Sequence, residues 1–169
     1  MTLRNVFKLF LMFFSLPVFS QNYVGFDLCK STSIEKITKQ LEKSGAENIK
    51  INSETERFLY ISVEANNYPV ANGFVKISVS ITDNKIQSIY INDESGIINL
   101  KERMIEKYGS PIEVGSVYGS SYVQYNSKNS NIIIDGGSNH VSYRCEKLNQ
   151  QRMKKLNNFN EKLEKGNKL

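Results

Sequence analysis

Residues 74–91, Phe-Val-Lys-Ile-Ser-Val-Ser-Ile-Thr-Asp-Asn-Lys-Ile-Gln-Ser-Ile-Tyr-Ile, decide how this chain folds. Val75, Ile77, Val79 and Ile81 alternate with Phe74, Lys76, Ser78 and Ser80, the period of two that puts one face of a strand in a core and the other in water. Asp83-Asn84 then supplies side chains that tolerate the left-handed backbone of a two-residue hairpin turn, and residues 86–91 return. Upstream, Leu59, Ile61 and Val63 alternate with Phe58, Tyr60 and Ser62. A loop containing Asn66-Asn67-Tyr68-Pro69 is expected between this strand and the hairpin. Ile49-Lys50-Ile51 reads as a weaker strand, and residues 23–28 as a short one.

Helices flank these strands. Thr32-Ser33-Ile34-Glu35 has the spacing of a capping box, in which a hydroxyl and a carboxylate satisfy free backbone N–H groups reciprocally. Ile34, Ile37 and Leu41 follow at helical spacing and Gly45 supplies the stop, so a helix is predicted over 33–44. A second is predicted to open at Ser95-Gly96, with Ile97, Leu100, Met104, Ile105 and Tyr108 along one side, and to end at Gly109 and Pro111. Residues 115–121, rich in Gly and Ser, read as a loop. Residues 122–125, 132–134 and 141–143 read as three further strands, with Asp135-Gly136-Gly137-Ser138 as the turn between the last two. A basic helix over 146–165 carries a patchy apolar stripe of Leu148, Met153, Leu156, Phe159 and Leu163.

Helices do not alternate one for one with strands, which disfavours a doubly wound parallel sheet. The expected class is α+β: a mostly antiparallel meander sheet, two helices on one face and a C-terminal basic helix. The order suggests two similar halves, each a helix followed by strands.

The chain has 169 residues, net charge +5, two Cys, one His and no Trp. That length fits one domain or two very small ones, and 40% hydrophobic residues suffice for a core. Residues 1–20 have the layout of a secretory leader: Arg4 and Lys8, the apolar run 9–16 (LFLMFFSL), then Pro17 and a small residue at Ser20. The run falls short of the about 20 apolar residues that span a bilayer. The expected organisation is a signal peptide over 1–20, a globular domain over 21–145 and a basic tail over 146–169. The chain is therefore expected to be periplasmic or secreted.

The charge is local. Residues 144–169 hold eight Lys or Arg against three Asp or Glu, whereas 21–143 hold 12 basic and 14 acidic residues. A nucleic-acid partner wants basic residues spread over a folded face and interleaved with aromatics. The tail has only Phe159, so nucleic acid is not expected. Weak contact with a membrane surface is the most such an interrupted stripe supports.

Leu28 and Ser31, followed by Ile34-Glu35-Lys36-Ile37 and residues 41–45 ending in Gly45, resemble the opening helix of BamE/SmpA-like exported bacterial domains. Glu106-Lys107-Tyr108-Gly109-Ser110-Pro111 is similar to a helix end found in many small periplasmic proteins. Cys29 stands where the family motif usually has Gly, and the lipid-attachment cysteine is not seen. The resemblance implies a non-enzymatic, envelope-facing domain that acts by binding.

Export into an oxidising compartment lets Cys29 and Cys145 form one bridge. Closing 115 intervening residues stabilises a fold by roughly 4–5 kcal/mol in the chain-entropy model. His140 lies in opposite phase to Val141 and Tyr143 and is expected to face solvent. One His cannot anchor a zinc site, which needs three or four ligands, so no metal or cofactor is expected. Asp93-Glu94 is expected to complement the dipole of the second helix and Asp135 to open a tight turn, so neither needs a catalytic role.

The second face of the sheet carries Phe58, Tyr60, Phe74 and Tyr90 where a meander usually turns polar side chains to water. Aromatics give large contact area for little lost rotamer freedom, as binding surfaces require. These four residues are the expected contact surface for another envelope or secreted protein, unless Leu156, Phe159 and Leu163 of the tail cover them. The expected function is therefore a non-catalytic protein-binding domain. The alternative is an inhibitor or immunity protein that blocks a toxin or envelope hydrolase by inserting the 115–121 loop.

Overall fold

The computed structural model describes residues 22–54, 60–70, 73–117, 120–127 and 129–166. The leader assigned to residues 1–20 lies outside them, as does Phe58. The chain forms the α+β fold expected. In order come β1 (Asn22–Tyr23), β2 (Phe26–Asp27), α1 (Ile34–Lys43), β3 (Glu47–Glu54), β4 (Tyr60–Val70), β5 (Gly73–Thr82) and β6 (Lys85–Asn92). Then follow α2 (Leu100–Tyr108), β7 (Glu113–Val117), β8 (Ser120–Tyr125), β9 (Ile132–Gly136), β10 (His140–Cys145) and α3 (Glu146–Gly166).

Among the described residues, one sheet of eight strands has the order β3-β4-β5-β6-β10-β9-β8-β7, every neighbouring pair antiparallel. Each half is a helix followed by a four-stranded meander. The halves meet through their last strands, with Ile91 opposite Val141 and Ile89 opposite Tyr143. Antiparallel pairing of β6 with β10 relates the halves by a local two-fold axis normal to the sheet, so α1 and α2 fall on the same face.

That face is the core. One row crosses seven strands as Ile51, Val63, Val79, Ile89, Tyr143, Ile134 and Tyr125. Every member is buried except Ile51 on the edge strand. Ile37 and Leu41 of α1 and Leu100 and Met104 of α2 close over it. Ser33 caps α1 by accepting from the Lys36 N–H at 3.2 Å. Asn99 caps α2 in the left-handed conformation (φ 51°), and Gly109 ends it at φ 82°, a region open to glycine.

Cys29 and Cys145 form a disulfide with Cα atoms 5.4 Å apart. The Cys29 N–H donates to Ile86 O at 2.9 Å, and the Ile86 N–H donates to Lys30 O at 3.1 Å. The segment after β2 thus occupies the edge of β6 just beyond the point where β10 ends at Cys145. The bridge fastens two consecutive neighbours of one strand.

Several elements differ from the expectation. Residues 23–28 are not one strand: β1 and β2 pair around Val24-Gly25, both at positive φ. This hairpin is pinned by the Tyr68 hydroxyl, which donates to Val24 O at 2.7 Å, and by Gln40, which donates to Gly25 O. The Asn66–Pro69 stretch is not a loop. Strand β4 runs through it because a bulge absorbs the extra residue, with Asn67 at φ 53°. The second helix begins at Leu100 rather than at Ser95, so Ile97 lies outside it and is 80% exposed. The 115–121 stretch is not a free loop either: residues 113–117 and 120–125 form the β7–β8 hairpin at the sheet edge, where cross-strand pairing satisfies the backbone.

Asp93 organises the bend before α2. Its carboxylate accepts from Ser95 Oγ at 2.6 Å, the Gly96 N–H at 3.0 Å and the Ile98 N–H at 2.7 Å. It therefore acts through local hydrogen bonds and not on the dipole of α2. Burial pushes the carboxyl up, but the Ser95 hydroxyl and the N–H groups of Ile98, Gly96 and Ser95 together outweigh it. The group is held below its ordinary value.

Candidate binding face

Of the expected site residues, Phe74 and Tyr90 lie on the face away from α1 and α2. One cross-strand row runs Lys50, Glu64, Ser78, Tyr90, Ser142, Asp135, Gln124 and Glu113. The next rows carry Lys76, Asn92 and His140 on one side and Ser62, Ser80, Ser88 and Arg144 on the other. The face is therefore polar, interrupted by aromatics.

Phe74 and Tyr90 are both on it, 65% and 41% exposed. Tyr60 belongs to β4, one residue beyond the Ile61–Ile81 pair, and so lies at the far end of β5 from Phe74. Phe74 and Thr82 stand eight positions apart on β5, about 26 Å of strand. The backbone positions of Phe74 and Tyr60 thus stand at opposite ends of the sheet. Helix α3 does not cover Phe74. It leaves β10 at the opposite end of the sheet, where Lys155 pairs with Asp83 of the β5–β6 turn at 3.2 Å.

His140 does not simply face solvent. It is half-buried and stacks on Tyr90, with ring centroids 5.7 Å apart and planes inclined by 30°. Partial burial raises the Tyr90 hydroxyl above its ordinary pKa. Asp135 does not open a turn: it lies within β9, is 7% exposed and pairs with Arg144 of β10. The turn residues are 137–139, so the turn opens two residues later than the Asp-Gly-Gly pattern suggested.

Sequence reasoning missed the concavity beside Tyr90. Two adjoining hollows of about 300 and 280 Å3 share Asn48, Asn66, Lys76 and Asn92. Tyr90 and Ser78 line the first, Phe74 and Glu94 the second. Bulges in β3, between Glu47 and Lys50, and in β4, between Ala65 and Tyr68, stand at the same height, since Glu47 pairs with Asn66. Bulges bend strands and redirect side chains. Asn48 (φ 52°) and Asn67 (φ 53°) take the left-handed conformation there, which Asn adopts at small cost. The doublet Asn66-Asn67 inside an otherwise strand-like run was the available signal.

Among the described residues, no three His, Cys, Asp or Glu side chains gather where they could hold a metal ion. No described helix is long and apolar enough to cross a membrane. Set against known protein families, curated proteins and solved structures, the chain matches none of them significantly.

Proposed function

We propose that this chain is an exported, non-catalytic binding domain of the bacterial envelope, with the open face of its sheet as the contact surface and another envelope or secreted protein as its partner. The observation that carries this reading is asymmetric covering. Both α1 and α2 pack on one face, while the other keeps Phe74 and Tyr90 exposed amid polar side chains. Large exposed aromatics in a polar setting are the usual anchors of protein contacts. The disulfide supports a location outside the reducing cytosol, periplasmic or secreted. The likeness of residues 28–45 to BamE/SmpA-like domains points the same way.

The test is capture of partners from an envelope extract by the native protein, Phe74→Ala and Tyr90→Ala, each checked for an unchanged melting midpoint. A partner held by the native protein and lost by either folded variant supports the reading. Equal capture by all three overturns it.

A further inference from the structure

We infer that the hollow floored by Tyr90 is a binding site for a neutral oligosaccharide. The inference rests on the open sheet face being the binding surface, but not on the partner there being a protein.

The argument begins with the donor set. Asn48, Asn66 and Asn92 line the hollow from three strands. An amide side chain both donates and accepts, as does a sugar hydroxyl, so a cluster of amides matches neighbouring hydroxyls without selecting a charge. The charged groups present are already balanced. Lys76 pairs with Glu94 at 2.6 Å, and Lys50 stands opposite Glu64 across β3 and β4. An anionic or cationic ligand would find no surplus of the opposite sign.

The second element is an aromatic surface. The Tyr90 ring lines the hollow and is braced by the stacked His140. The electron-rich face of an aromatic ring attracts the weakly positive C–H groups of a pyranose, so the ring serves the apolar face of a sugar while the amides serve its hydroxyls. Gly137 makes room for the brace: a Cβ there would lie 2.5 Å from the His140 ring.

The third element is shape. The two bulges, aligned on neighbouring strands, bring Asn48 and Asn66 to the lining of the hollow. A hollow of about 300 Å3 is at the small end of ligand sites and suits a few sugar units over a drug-sized apolar molecule.

The test is an NMR titration of the 15N-labelled protein, following the side-chain amides of Asn48, Asn66 and Asn92. The probes are chitotetraose and maltohexaose, with tetragalacturonate and a blocked tetraserine peptide as comparisons. The expected result is saturable shifts of these amides with a neutral sugar at millimolar concentration, weakened about tenfold in Tyr90→Ala and unaltered in Ile97→Ala, a position that lines neither hollow. Asn92→Asp, which keeps size but replaces a donor with a charge, should weaken binding similarly. No shift with either neutral sugar overturns the inference, as does a stronger response to tetragalacturonate or to the peptide alone. Sugar binding without Phe74- or Tyr90-dependent protein capture overturns the protein partner only. Capture without sugar binding overturns the sugar site only.

Discussion

Cys29 and Cys145 are 116 positions apart in sequence, yet their Cα atoms lie 5.4 Å apart, each on a segment that borders β6. The bridge closes nearly the whole fold into one loop. Replacing both cysteines with Ala should lower stability by about 2–5 kcal/mol, with the sheet still formed. Urea unfolding of the native protein with and without reductant, beside the double variant, measures this. A reductant-insensitive midpoint would count against a stabilising role.

Asp93 sets an acid limb. Its folded pKa is below the ordinary carboxylate value, so the unfolded chain takes up the proton first as pH falls. The stability it contributes is full above about pH 4 and is lost as pH drops through its folded pKa. Asp93→Asn cannot accept at both ends, because one oxygen becomes an NH2 facing the N–H of Ile98. The variant should be less stable at neutral pH and show a flatter loss of stability between pH 5 and 2. Thermal melts across that range give the comparison.

Ile89 lies at the centre of the core row, fully buried between Val79 and Tyr143. Ile89→Ala should cost about 2–5 kcal/mol through lost transfer energy and an unfilled cavity. Ile97→Ala, at an 80% exposed position, should change stability by less than about 0.5 kcal/mol. Paired chemical denaturation curves would reveal the contrast.

Arg144 reaches across from β10 to Asp135 on β9, on the otherwise uncovered face. Asp135 is mostly buried whereas Arg144 is one-third exposed, so solvent screens part of the attraction. Arg144→Ala should cost about 1–3 kcal/mol, most of it from the carboxylate left behind. Adding Asp135→Asn should recover part of the loss, which a double-mutant cycle would quantify.

Much of the architecture was readable from side-chain order. The alternation over 74–91 marked β5 and β6, the Asp83-Asn84 turn sits where it was expected at φ 50° and 55°, and Cys29 and Cys145 form the expected bridge. The misses share a cause: local turn chemistry was outvoted by pairing with distant strands. Asn66-Asn67-Tyr68-Pro69 carries turn residues, but Tyr68 is buried in the core and its hydroxyl holds the N-terminal hairpin, which keeps β4 extended. Asp135 before Gly136-Gly137 looks like a turn opener until Arg144 stands beside it. The candidate face was half legible. Alternation put Phe74 and Tyr90 outward, but the hollow depends on bulges in two strands that meet only in the folded sheet.

Placing β10 beside β6 also sets a schedule for assembly. The last of the described strands occupies the middle of the sheet, so the two meanders have no seam until residues 140–145 are available. A chain synthesised from its N-terminus holds β6 with an open flank until residues 140–145 have emerged. Closure of the sheet, and with it the pairing of Cys29 with Cys145, in which an external acceptor takes two electrons from the two thiols, waits for that strand.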